Sequence, residues 1–362
     1  MSTLAPAELV ERIWERDPSV WTGGDEAHWL GWLDEPGRMR ERAHELLERA
    51  TELRARDVVL LGMGGSSLAP EVMRRTFSAT RFHVLDTTHP AAIRRLDALI
   101  DVGETLFIAA SKSGTTIETR SHTDYFRDRG GRVAVITDPG SPLADVPEDV
   151  FYGEPTIGGR YSALSVFGLL PAVLMGVDVA RLLDRAEEMR DACRLEEGNP
   201  GLDLGLQLAA TEFLQVGGDF GLWVEQLVAE STGKQGKGIV PVREGGEPAD
   251  VRLEDPYELG QEFFRWEFAT AVAGSLLGIN PFDQPNVQAA KDKTSAVLSG
   301  EAVSDTRHVS AGQVEELLAE ARPGRYVAIL AFVDPERELA LEPLVERARA
   351  TGAAVAVGLG PR

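Results

Sequence analysis

The sequence predicts an α/β protein built from two doubly wound parallel-sheet domains with helices on both faces. Three observations carry that prediction. From Asp57 onward short apolar runs alternate with helical stretches, each run ends in a polar or glycine-rich loop, and the rhythm returns less regularly after residue 200. Parallel strands buried on both faces read as continuous apolar runs, and their alternation with helices marks βαβ units. At 362 residues, 43% hydrophobic and 26% charged, the chain has enough apolar surface for two domains without staples.

Residues up to Arg56 are charged, with apolar positions at helical spacing around Leu9, Ile13 and Trp14 and again at Leu46, Leu47, Ala50 and Leu53. This lead-in reads as helices lying outside a sheet. The apolar run VVLLG (58–62) is the first strand, and RFHVLD, TLFIAAS and RVAVITD follow it with helices between. The uncharged stretch from Ser162 to Met175 is shorter than the ~20 residues of a membrane span and reads as a buried helix. EEGNPG at Glu196–Gly201, with Pro200 placed as a first helical residue, sets the expected domain boundary, giving 1–195 and 196–362. Beyond it FGLWV, GIVPV, YVAILAFV and AAVAVGL read as strands. Helices are expected near Leu202–Leu214, Gln261–Leu277, Val287–Leu298 and Glu336–Ala350, and an exposed loop from Arg243 to Pro256.

Charge narrows the partners. Thirty-seven Lys and Arg against 58 Asp and Glu leave a formal net charge of −21, which repels nucleic-acid phosphates and anionic lipid. The single cysteine, Cys193, cannot form an internal disulfide, and no N-terminal run resembles a signal peptide, so a cytoplasmic protein is expected. The six histidines show no metal-ligand spacing, and neither a metal nor another cofactor is expected. Trp14, Trp21, Trp29 and Trp32 read as packing or interface residues.

Two loops at strand ends carry the chemistry, because open α/β sheets bind ligands beyond the carboxyl ends of their strands. Gly62-Met63-Gly64-Gly65-Ser66-Ser67 lets backbone approach an anion, although Ser67 stands where a dinucleotide fingerprint needs its third glycine. A plain tight turn is the alternative. Ser111-Lys112-Ser113-Gly114-Thr115-Thr116 combines four hydroxyls, one ammonium and a glycine at a helix start, a nest for a dianionic phosphate. Thr115 with Glu118 also fits a capping box, but a cap needs one hydroxyl and here there are four. Arg160, in Gly158–Ser162, serves equally as a surface cap or as a fork for an anionic oxygen. Glu230 closes an apolar helical stretch and reads as a solvated carboxylate or a base, while Gln284 and Lys291 lie at the start of a helix.

Together these segments resemble the glucose-6-phosphate isomerase family, which has two sugar isomerase domains. GMGGSSLAP (62–70) and SKSGTTIET (111–119) look like its phosphate-loop motifs; GGRYS (158–162), ESTGK (230–234) and DQPNVQAAK (283–291) look like its other three, in the family's order. The likeness is nearest to the short bacterial members, including those fused to transaldolase. It implies that Gly65, Ser66, Ser111, Lys112, Ser113 and Thr116 hold the substrate phosphate and that Gln284 contacts the sugar. Glu230 would move the proton between C2 and C1, Arg160 would stabilise the enediolate, and Lys291 would assist at the ring oxygen. A homodimer is implied as well. The histidine motif of the long members has no counterpart after Glu230, and the chain stops at Gly358-Leu359-Gly360-Pro361-Arg362, where short members continue, so an incomplete chain or another means of ring opening is expected. Ser113 and Gly114 lean toward the dual glucose/mannose-6-phosphate isomerases. The rivals are a non-catalytic sugar-phosphate-binding regulator and a nucleotide-dependent oxidoreductase.

Overall fold

A computed structural model describes residues 4–145, 149–243, 245–249, 251–283, 285–301 and 309–360. Helices α1 (Pro6–Trp14) and α2 (Glu35–Glu52) precede β1 (Asp57–Gly62), α3 (Leu68–Thr76), β2 (Phe82–Leu85), α4 (Pro90–Leu99), β3 (Thr105–Ala110), α5 (Ile117–Arg127), β4 (Arg132–Thr137) and β5 (Asp149–Tyr152). The five strands form one parallel sheet in the order β2-β1-β3-β4-β5. Alternate side chains enter different cores: Val58 and Leu60 of β1 and Leu106 and Ile108 of β3 join one, whereas Val59, Leu61, Phe107 and Ala109 join the other. Helix α5 supplies Phe126 and α4 supplies Leu96 to the second core, while α1, α2 and α3 cover the first. The sheet is therefore doubly wound, and its strand order reverses between β1 and β3.

Helices α6 (Val166–Leu174), α7 (Val179–Ala192) and α8 (Pro200–Ala209) follow, with Asn199 capping α8 and Pro200 opening it. Then come β6 (Phe213–Gln215), α9 (Gly218–Thr232), β7 (Val240–Val242), β8 (Glu247–Pro248), α10 (Leu259–Leu277), α11 (Pro285–Leu298), α12 (Ala311–Ala319), β9 (Tyr326–Ala331), α13 (Glu342–Arg349) and β10 (Ala354–Leu359). Strands β7-β6-β8 form one parallel sheet and β10-β9 another. A hydrogen bond from Arg243 N to Val355 O joins their facing edges. Pro241, at the centre of β7, has no N–H to extend that ladder. The larger core is continuous from Leu9 to Phe282 and so runs through both halves of the chain.

Three expectations are corrected. FGLWV (220–224) lies inside α9; the strand is Phe213–Gln215, where the end of a helix was expected. Phe220, Trp223, Val224, Leu227 and Val228 are all buried, and a helix apolar on most of its faces loses the periodicity that separates it from a buried strand. The Arg243–Pro256 stretch carries the short β8, and the helix expected from Glu336 is a 3-10 segment, Pro335–Leu341, leading into α13. The tryptophans do pack: Trp32 meets Tyr161, Phe264, Phe268 and Phe282, and Trp14 stacks near Phe264 and Phe268.

Candidate active site at the sheet switch point

Gly62 pairs with Ala110 across β1 and β3, so the two glycine- and hydroxyl-bearing loops leave adjacent strands at the same edge. That is the place where strand order reverses and where such sheets open a binding crevice. The first loop makes a 3-10 turn, Gly64–Ser66, before α3. Gly65 lies against the turn that carries Arg160: a Cβ there would meet Gly159 O at 2.3 Å and Arg160 N at 2.9 Å. Only glycine permits this approach, and it brings the loop and the arginine together. Ser66 is buried in the same turn.

In the second loop Gly114 adopts φ +64°, and a Cβ would sit 2.8 Å from Ser141 Oγ. The hydroxyls are paired, Ser111 Oγ with Thr116 Oγ1 at 2.9 Å and Ser113 Oγ with Thr115 Oγ1 at 2.8 Å. Each pair consumes one hydroxyl proton and leaves one. The alternative Thr115–Glu118 capping box is not formed; Thr116 is the N-cap of α5 and makes no side-chain bond to the helix amides. The first-turn N–H groups of α5 are therefore left without a side-chain cap beside hydroxyls that keep a proton to donate. Lys112 is held through two of its three N–H groups. Its ammonium donates to Asp138 Oδ1 (2.8 Å) and to Glu154 O (2.9 Å), which ties the loop to the far side of β4. Burial pushes its pKa down, opposed by Asp138.

Arg160 is 1% exposed, not a surface cap. Its Nε donates to Ser231 Oγ (2.7 Å), and its Nη2 to Pro281 O (2.5 Å) and Asp283 O (3.1 Å). Its Nη1 has no hydrogen-bond partner among the described residues and lies 3.8 Å from Glu230 Oε2. Burial lowers the arginine pKa, opposed by Tyr161, Glu230 and Asp283. Glu230, in the last turn of α9, is 31% exposed at its side chain and accepts a hydrogen bond from Gln226 Nε2 (3.1 Å), one helical turn earlier. Gln226 in turn faces Gly64, whose Cβ would fall 2.6 Å from Nε2. Glu230 borders a cleft of about 650 Å³ between α3, α9, β7 and the β9–β10 pair.

The structure thus gathers Gly65, Ser66, Arg160 and Glu230, and sets Ser111, Ser113 and Thr116 at the neighbouring strand end. Gln284 lies outside the described residues, as does the side chain of Lys291, whose backbone is in α11. Sequence reasoning passed over Gln226, Ser231 and Lys234. Their signal was present, since Gln226 stands four residues before Glu230 on one helix face and the other two belong to the ESTGK segment. Among the described residues no three His, Cys, Asp or Glu side chains cluster to hold a metal, and no helix is long and apolar enough to cross a membrane.

Residues 47–197 match the phosphoglucose isomerase family model. A glucose-6-phosphate isomerase of Rubrobacter xylanophilus is 28% identical over 389 residues, covering 73% of this chain and 89% of that protein. One from Thermus thermophilus is 35% identical over 195 residues, covering 49% of this chain and 47% of that protein. The chain is an isomerase. The relatives support an aldose-ketose isomerase role. Among solved structures, the hypothetical protein TT0462 of Thermus thermophilus superposes with a TM-score of 0.68 at 25% identity, covering 81% of this chain and 94% of that one. A glucose-6-phosphate isomerase from Chlamydia trachomatis gives 0.58 at 19% identity over 86% of this chain and 81% of its own, a likeness of fold. The fold is that of sugar isomerase domains, mixed α/β with parallel sheets flanked by helices.

Proposed function

We propose that the chain interconverts glucose 6-phosphate and fructose 6-phosphate through a cis-enediol. The observation that carries this reading is the pairing of Glu230, partly open to solvent, with the Nη1 of a buried arginine beside the Gly65 turn, a nitrogen without a hydrogen-bond partner among the described residues. Proton abstraction next to a carbonyl needs a carboxylate over that carbon and a fixed positive group beside the oxygen that gains charge.

In this reading the phosphate sits on the hydroxyls of Ser66, Ser111, Ser113 and Thr116 and on the first amides of α5, while Lys112 braces the loop from behind. Glu230 takes the proton from C2 of the open-chain aldose. The C2–H electrons form the C1–C2 double bond, and the carbonyl electrons move to O1, where the Arg160 cation balances them. Glu230 then returns the proton to C1 as O2 becomes the ketone carbonyl and its hydroxyl proton passes to O1. Gln284 and Lys291 complete the reading as sugar contacts, with Lys291 at the ring oxygen. A homodimer in the cytoplasm, acting in glycolysis and gluconeogenesis, accompanies it.

The test is a coupled assay on the purified chain with glucose 6-phosphate and, separately, mannose 6-phosphate. Turnover of glucose 6-phosphate is expected, and turnover of mannose 6-phosphate as well would identify a dual isomerase. Phosphate-protected binding of both sugars with no turnover of either would replace the enzyme with a binding protein.

A further inference from the structure

Burying Arg160 is understandable if it faces a reacting oxygen, but a second cation is buried beside it. Lys234, two residues beyond α9, has a side chain only 6% exposed. Its ammonium donates to Asn280 O (2.5 Å), to Asp283 O (2.7 Å) and to the Asp283 carboxylate. Three donors thus meet three acceptors, which satisfies an ammonium completely. Two of those acceptors are main-chain carbonyls of the 280–283 segment, the same segment that Arg160 grips through Pro281 O and Asp283 O. The two cations share one carbonyl, that of Asp283.

The sharing matters for the arginine. A guanidinium has five N–H groups in a rigid plane. Three are spent here, one on Ser231 and two on the segment, and the two on Nη1 remain, buried and facing Glu230. Were Lys234 absent, Asn280 O and the Asp283 carboxylate would lose their donor, and Asp283 O would keep only the longer of its two bonds. The Asp283 carboxylate, 42% exposed at its side chain, is met by solvent, whereas the two enclosed carbonyls compete for the next donor within reach. That donor is Arg160, and turning its plane to serve them would take Nη1 away from Glu230.

We infer that Lys234 is a positioning residue for Arg160: by satisfying the carbonyls of Asn280 and Asp283 it holds the guanidinium plane so that both Nη1 protons stay directed at the reacting oxygen. Lys234 touches no substrate in this account and acts through the arginine. The inference rests on the proposed isomerase reading.

The experiment uses the full chain with Lys234→Met, Lys234→Arg and Lys234→Gln. Three quantities are measured for each: kcat and KM for glucose 6-phosphate, the Kd of inorganic phosphate, and the Kd of a phosphorylated five-carbon aldonic acid, whose planar carboxylate mimics the enediolate. A displacement of about 1 Å in a reacting group costs on the order of 100-fold in rate. Lys234→Met is expected to lower kcat by about that factor and to weaken the aldonic acid in parallel, with KM and phosphate Kd within about threefold of the parent. Lys234→Arg, which keeps a cation and several donors, is expected to recover about tenfold of the loss. A Lys234→Met protein that retains kcat and aldonic-acid affinity, or that loses phosphate affinity to the same extent, overturns the inference. Should Lys234→Met fail to fold, Lys234→Gln, which is shorter and uncharged, decides by the same split between the two ligands. A parent without turnover refutes the isomerase reading, while selective loss of the aldonic acid over phosphate still reports on the clamp.

Discussion

Gly65→Ala offers a sharp test of how the site is assembled, because Gly159→Ala provides a matched control. The alanine methyl at 65 would lie 2.3 Å from Gly159 O, 2.4 Å from Gly159 C and 2.9 Å from Arg160 N, all backbone atoms of a buried turn. No side chain can rotate away, so the first loop and the arginine turn must part by about 1 Å to reach ordinary van der Waals separation. Overpacking of this kind costs about 1–3 kcal/mol of stability. A misplacement of that size in a catalytic group costs about 100-fold in rate. At Gly159 an added methyl meets nothing within 4 Å, so the same substitution on the other side of the contact leaves the geometry unchanged. Thermal melting and steady-state kinetics on both variants are the assays. Gly65→Ala is expected to lose about two orders of magnitude in kcat/KM with a lowered Tm, and Gly159→Ala to match the parent. Equal behaviour of the two would refute the claim that close backbone approach joins the phosphate loop to Arg160.

Further expectations follow from the charged groups around the site. Lys112→Met should destabilise the protein, by about 1–3 kcal/mol for the lost charged hydrogen bonds to Asp138 and Glu154 O, while raising KM less than tenfold; a KM increase beyond 100-fold with unchanged Tm would make the lysine a direct phosphate ligand. Glu35 is buried at the start of α2, and burial, partly offset by Arg38, raises its carboxyl to about 7. Its folded-state pKa lies above the unfolded value, so the folded form holds the proton more tightly and stability declines as pH climbs from about 4.5 to 7. The shift corresponds to about 3 kcal/mol. Melting curves of the parent across that window should fall with pH and those of Glu35→Gln should be flatter; identical slopes would count against the assignment. Glu267, fully enclosed in α10 with Oε1 unpartnered among the described residues, is also pushed above the ordinary carboxylate range by burial. Glu267→Gln, which preserves shape and removes only the ionisable proton, is accordingly expected to shift Tm by less than about 2 °C at pH 7, and a collapse of the fold would show the carboxylate to be ionised and paired.

How much of this could be read from residues alone varies with the kind of interaction. Strands β1, β3 and β4 were legible because burial on both faces of a parallel sheet leaves an unbroken apolar run, and each ends in a loop whose glycines or hydroxyls announce a turn. The same rule misled at Phe220–Val224, where a helix enclosed on most sides gives the same run, and β6, three residues long, offered no run at all. The two glycine- and hydroxyl-bearing loops and Glu230 were visible as motifs, but which atoms are free was not. Lys112 looks like the obvious phosphate ligand until Asp138, 26 residues later, is folded against it. Arg160 could be a surface cap by sequence; its burial depends on Ser231 and Pro281, 71 and 121 residues away. Glu267 interrupts an apolar helix as an exposed charge would, yet it is enclosed, because α7, α8 and α9 pack against α10. Local pattern reports the period of burial, whereas the spending of hydrogen-bond donors is set by long-range contacts.

In the proposed reaction the carboxylate of Glu230 is the group that moves the proton. Glu230→Gln keeps the size of the side chain and its acceptor for Gln226 while removing the base. Glucose 6-phosphate should be incubated in D2O with the parent and with this variant, following turnover and deuterium at the carbon beside the carbonyl. General-base catalysis contributes about 10²–10⁴-fold, so turnover and deuterium uptake should fall together by at least 100-fold with KM little changed. Uptake and turnover at the parental rate in Glu230→Gln would show that another group moves the proton.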